Sequence, residues 1–120
     1  MDLEELRDRL AQGETMFDGV ELADATLLSL NLRGVRMRHA RLSRLDLRGA
    51  DLAMADLEAA CLTAVNLRGS HLFGVNLAKA RLVGVDLCGA NLHRARMSGA
   101  EMSGILLRAG QLPRADLRGA

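Results

Sequence analysis

In the stretch LDLRGADLAMADLEAACL, residues 45–62, leucine returns at 47, 52, 57 and 62, one position in every five. An α-helix turns about 100° per residue, so each leucine would land about 140° further round the axis than the last. A β-strand would point them alternately to its two faces. Neither element can bury such a row on one side. Yet the row continues without insertion through twenty-one quintets from Phe17 to Leu117, with Met at 37, 97 and 102 and Leu at every other centre.

The neighbours of each centre fix the geometry. Two residues earlier the side chain is small or aliphatic, as at Ala50, Ala60, Val65, Val75, Ala80 and Val85. The residue between is mostly polar, as at Asp46, Asp51, Asn66, Asn76 and Asp86, and the two residues after the centre are commonly Arg-Gly, as at 48–49, 68–69 and 118–119. Each quintet therefore reads in, out, in, out, out. The first three residues fit a very short strand, and the last two fit the middle of a turn whose second place tolerates positive φ. Ten of the twelve glycines occupy that second place. A chain that makes a strand and a corner every five residues, with the same positions always inside, must wind about an axis as a solenoid.

The repeated A(D/N)LxG pattern, present as ADLAM, VNLRG, VDLCG, ANLHR and ADLRG, resembles that of pentapeptide repeat proteins over residues 15–120. The resemblance implies an all-β fold: a right-handed quadrilateral β-helix, four quintets to the coil, with leucines stacked up the middle. Stacked strands lie about 4.8 Å apart, so a little over five coils predict a rod roughly 25 Å long. Residues 2–12 read as a short N-terminal capping α-helix, with Asp2 and Glu5 in capping-box spacing, Leu3, Leu6 and Leu10 on one face and Gly13 beyond the end. The expected organisation is a capping helix and linker over 1–14 and about five coils of repeat over 15–120.

Composition narrows the chemistry. Tyr and Trp are absent and Phe occurs twice, so aliphatic side chains must fill the core. The formal net charge is +1, with fifteen of the sixteen basic residues being Arg, which gives no bulk attraction to nucleic acid or an anionic membrane. Cys61 and Cys88 are too few and too isolated for a disulfide framework, and on a four-sided coil they fall on different faces. The acidic, amphipathic start is unlike a secretory signal and no run approaches the length of a membrane span, so the expected setting is cytoplasmic, without membrane contact. No nucleophile elbow, phosphate loop, HExxH or paired-carboxylate cleft is present, and a filled rod should offer no obvious pocket. The expectation is a non-enzyme with no catalytic, cofactor or metal residues. His71 falls in the Asn/Asp row between Asp51 and Asn91, where it reads as a hydrogen-bonding substitute; with His93 it makes too flat a ladder for a metal.

Sorting outward residues onto four faces singles out three candidate contact surfaces. Arg48, Arg68 and Arg108 stack on one face with Cys88 between the last two, and guanidinium forks of this kind suit a carboxylate or phosphate. Met54 and Phe73 should be neighbours with Arg33, Arg94 and Arg114 around them, an apolar centre with an arginine rim. The C-terminal stretch AEMSGILLRAGQLPRADLRGA has no helix to close it, so Leu106, Leu107 and Leu112 mark an end expected to pair in a homodimer.

The best-known members of the family that the sequence resembles protect type II topoisomerases such as gyrase by imitating DNA. Every face here interleaves Arg with Asp and Glu, so neither DNA mimicry nor direct nucleic-acid binding has an electrostatic basis, and mimicry is kept as the alternative function. The expected function is a rigid protein-binding scaffold or adaptor. The stretch ELRDRLAQGETMFDGVELADATL also resembles the start of pentapeptide modules in bacterial type VI secretion accessory proteins, which implies a bacterial adaptor.

Overall fold

The computed structural model describes residues 1–108, 116, 118 and 119. Helix α1, Leu3–Ala11, begins where Asp2 accepts the backbone N–H of Glu5 at 2.8 Å, with Glu4 and Glu5 in its first turn. Carboxylates there suit the exposed N–H groups and the positive end of the helix dipole. Leu6 on its inner face is fully buried in the core, with Leu3 and Leu10 packed beside it.

Five strands follow: β1 Glu21–Thr26, β2 Arg41–Asp46, β3 Cys61–Thr63, β4 Arg81–Val83 and β5 Glu101–Ser103. They form one parallel sheet in chain order, paired Glu21 to Arg41, Arg41 to Cys61, Cys61 to Arg81 and Arg81 to Glu101. The other three walls are single bridges in the same register, as in Asp51–His71–Asn91, Asp56–Asn76–Arg96 and Asn66–Asp86–Leu106. Every pairing joins residues twenty apart, so the coil holds four quintets. The expected three-residue strand holds for β3 to β5. In β1 and β2 pairing runs on through the corner, although Asp24 and Arg44 there have φ of 56° and 50°.

The inward rows are closed-packed. The leucine centres from 47 to 92 and the small residues Ala40, Ala60, Ala80 and Ala100 are all buried. Corners on the other walls are tied by bonds such as Ala50 N–H to Leu47 O at 3.0 Å and Ala60 N–H to Leu57 O at 3.0 Å. The second turn place has positive φ whether or not it is glycine: Met54, Ala59, Ala64 and Lys79 all lie between 54° and 62°. Corner geometry therefore overrides the cost, about 1–2 kcal/mol, of the left-handed region for an L-residue.

The Asp/Asn position differs from the sequence expectation. The quintet pattern turns these side chains out to water, but Asp51, Asn66, Asn76, Asp86 and Asn91 are half-buried and each accepts the N–H two residues on, at 3.0–3.1 Å. A short side chain carrying an acceptor can close that turn, which explains the preference for Asp or Asn there.

One inward polar group stands apart. Ser70 is buried in the alanine row and its hydroxyl has no hydrogen-bond partner among the described residues. Ser70→Ala is expected to stabilise the fold by about 1 kcal/mol, because a buried hydroxyl without a partner costs at least that much. Chemical denaturation of the variant checks this; a lower midpoint would mean that the hydroxyl is satisfied in solution.

The molecule measures 35 × 21 × 20 Å. The long axis matches about 25 Å of coils plus the roughly 10 Å diameter of α1 laid across the first coil. The two ends differ. Leu22, at the α1 end of its row, is buried, as are Leu42, Leu62 and Leu82, whereas Met102 in the same row is 37% exposed.

Candidate interaction surfaces

The arginine row divides into two unlike parts. Arg48 turns onto its own quintet, donating from Nε to Asp46 Oδ1 at 2.9 Å and from Nη2 to Asp46 Oδ2 at 2.7 Å. These side-chain bonds, with the Arg48 backbone N–H, hold the Asp46 carboxyl below the usual carboxylate range. A guanidinium already bidentate to a carboxylate has little left to offer a partner.

Arg68 is less committed, with one bond to Asp86 Oδ2 at 3.3 Å. Burial pushes the Asp86 carboxyl up, but hydrogen bonds from the Cys88 backbone and thiol and from Arg68 outweigh it, so the group lies below its ordinary value. Arg108 is exposed and makes no ion pair among the described residues. Between these arginines the short Cys88-Gly89 pair leaves a notch of about 240 Å³, lined by Arg68, Cys88, Gly89 and Arg108. The structure thus brings Arg68 and Arg108 together around a gap and takes Arg48 out of use. Two guanidinium-bearing residues, Arg68 and Arg108, border the notch.

Met54 and Phe73 are neighbours as expected: Met54 N–H donates to Phe73 O at 2.8 Å, and the two are 56% and 39% exposed. Met54 lies folded over Gly74, where a Cβ would sit 2.4 Å from its sulfur. Gly74 therefore provides both the positive φ and the space for Met54, as a close contact of this kind requires. Arg33 flanks the patch within 3.9 Å of Asp51, Arg94 is exposed, and Arg114 lies outside the described residues.

At the C-terminal end Leu106 is 57% exposed in the ladder above Asp86, and Leu107 is half-buried against the core. Leu112 lies outside the described residues. Cys61 and Cys88 are free thiols on different walls. His71 stands between Asp51 and Asn91 in its ladder, and no group of three or more His, Cys, Asp or Glu among the described residues could hold a metal ion. No helix among them is long and apolar enough to cross a membrane.

The expectation of no obvious pocket needs correction at the α1 end. The leucine stack fills the middle of the rod, but a groove of about 880 Å³ opens beside β1 where the start of the chain passes it. Sequence cannot show it, because capping spacing places a helix at residues 2–12 without fixing how much of the first coil that helix covers. The eight carboxylates before residue 25 mark this end as acidic but carry no signal of a groove.

The architecture agrees with that of one solved protein. Rfr23, a pentapeptide repeat protein of the cyanobacterium Cyanothece 51142, superposes with a TM-score of 0.90 at 26% identity, over 98% of this chain and 92% of that one. HetL of Nostoc sp. strain PCC 7120, described as involved in heterocyst differentiation regulation, is 29% identical over 83% of this chain and 56% of its own, with a TM-score of 0.33. QnrB1, a plasmid-mediated fluoroquinolone resistance protein, is 18% identical over 86% and 65%, with a TM-score of 0.47. Compared with curated protein sequences, the chain matches none. The family profile for pentapeptide repeats matches residues 31–69 and 70–108. With that match over more than half its length and the twenty-residue parallel register throughout, the chain belongs to the pentapeptide repeat family.

Proposed function

We propose that this protein is a non-enzymatic, rigid scaffold whose walls bind a protein partner. The observation that carries the reading is the filled core. Leu47, Leu67, Leu87 and their neighbours occupy the interior, which leaves chemistry to the walls. A solid rod does not close over a substrate, but it holds side chains at fixed spacing, and rigid presentation limits the ordering cost of association.

Two wall regions suit such contact. The Arg68–Arg108 notch fits a carboxylate or phosphate on a partner, and the Met54–Phe73 patch offers apolar area beside Arg33 and Arg94. Interfaces commonly combine an apolar centre with arginine. The exposed Met102 and Leu106 support a homodimer through that end of the rod. A cytoplasmic bacterial adaptor, including one that serves type VI secretion, is consistent with this reading.

The test compares wild type with two folded variants, Arg68→Ser/Arg108→Ser and Met54→Ser/Phe73→Ser, in crosslinking capture from the source cells, and with Leu106→Asp in sedimentation. The scaffold reading expects at least one wall variant to lose a partner that wild type retains, with unchanged melting. Concentration-dependent dimerisation should weaken at least tenfold in Leu106→Asp, because burying an unpaired charge is costly. Retention of every partner by both wall variants would refute the assigned walls, and a monomer at all concentrations would refute the dimer. Relief of quinolone inhibition in a gyrase supercoiling assay would favour DNA mimicry instead.

A further inference from the structure

We infer that the free edge of β1 is a docking site for an extended basic peptide, which adds a strand to the sheet ahead of β1. The backbone supplies the first argument. Arg41, Cys61, Arg81 and Glu101 each donate an N–H to the preceding coil, at Val20, Ala40, Ala60 and Ala80, over 2.8–2.9 Å. Asn66, Asp86 and Leu106 do the same one quintet further on, to Leu45, Val65 and Val85 over 2.9–3.1 Å. Glu21 and Thr26 hold these two places in the first coil. What precedes them is α1, whose backbone bonds are its own, so their N–H groups have no strand to meet. The Glu21 carbonyl receives one long contact, 3.5 Å from the Met1 amino group. Such an edge is a template for strand addition.

Shape and charge select the occupant. The groove of about 880 Å³ follows this edge, with Leu3 and Ala25 on its inner side and Asp2, Glu21 and Asp24 on its rim. Arg44 already holds Asp24 bidentately, from Nε to Oδ1 at 2.5 Å and from Nη2 to Oδ2 at 3.0 Å, whereas Arg41, which also lines the groove, lies 4.0 Å from Glu21, so Glu21 is the less committed of these two carboxylates. The surrounding end is strongly acidic: residues 1–32 carry eight carboxylates against Arg7 and Arg9, a formal −6, while residues 33–120 carry a formal +7. An added strand turns alternate side chains to opposite sides. The fitting sequence therefore alternates apolar residues toward Leu3 and Ala25 with basic residues toward the rim. This end of the rod is not used by the wall contacts proposed above, so the two readings stand or fall separately.

The probe is a nine-residue end-capped peptide alternating valine and lysine, compared with its valine-glutamate counterpart, using the full chain. Amide hydrogen exchange followed by NMR is expected to slow about tenfold or more at Glu21 and Thr26 with the lysine peptide and to stay unchanged with the glutamate peptide. Affinity should fall about threefold or more in Glu21→Gln and not in Glu4→Gln, which removes a charge outside the groove. Unchanged exchange at Glu21 and Thr26 at saturating peptide would overturn the proposal. Equal losses in the two variants would also do so, since binding would then follow net charge alone. Slow exchange of both amides in the free protein, rising with protein concentration, would assign the edge to a second copy and equally exclude the peptide.

Discussion

Leu67→Ala is expected to cost about 2–5 kcal/mol and to lower the melting temperature by roughly 10–20 °C. Leu67 is fully buried between Leu47 and Leu87 in the same row. Collapse into the hole is prevented because Leu47 N–H holds Asn66 O at 2.8 Å below it and Leu67 N–H holds Asp86 O at 2.8 Å above. The coils keep their spacing, so the deleted side chain leaves a cavity rather than a contraction. Each coil contacts only its neighbours, and a weakened interior coil uncouples the rod on either side of it. Thermal unfolding followed by circular dichroism measures this. A curve superimposable on wild type would contradict the stacked leucine core.

Overfilling the alanine corner should be nearly as damaging. Ala80 is fully buried between Ala60 and Ala100, and Arg81 N–H to Ala60 O and Glu101 N–H to Ala80 O fix the coils at 2.9 Å on both sides. A leucine there has no direction in which to extend except into the central leucine stack. Ala80→Leu is therefore expected to lose about 1–3 kcal/mol, the usual range for overpacking. Ala80→Ser, nearly the same size, separates volume from chemistry: its hydroxyl carries only the cost of burying a polar group. Urea denaturation of both variants gives the comparison, and an Ala80→Leu midpoint at or above that of wild type would show that the corner can open.

Much of this fold is written locally. The period-five leucines, the alanine row and the glycine-rich second turn place can be read residue by residue, because each reports a steric condition within one quintet. The start of α1 was equally legible, since Asp2 reaches Glu5 within a single turn of chain. The half-burial of Asp51 and Asn66 was not, because a side chain folded back onto its own turn looks from sequence like one that faces water.

The candidate surfaces show where local information ends. Sequence places Arg48, Arg68 and Arg108 in one row of apparent equals, and only side-chain geometry separates them: Arg48 closes on Asp46, Arg68 reaches across the coil to Asp86, and Arg108 meets no carboxylate among the described residues. Sequence alone determined the repeat, the inward rows and the turn positions, since period five admits few ways to bury a leucine. Tertiary structure decided the number of quintets in a coil, the pairing of each guanidinium and the edge that α1 leaves uncovered. Those outcomes depend on how corner angles accumulate and on contacts between residues about twenty apart, distances that no single quintet encodes.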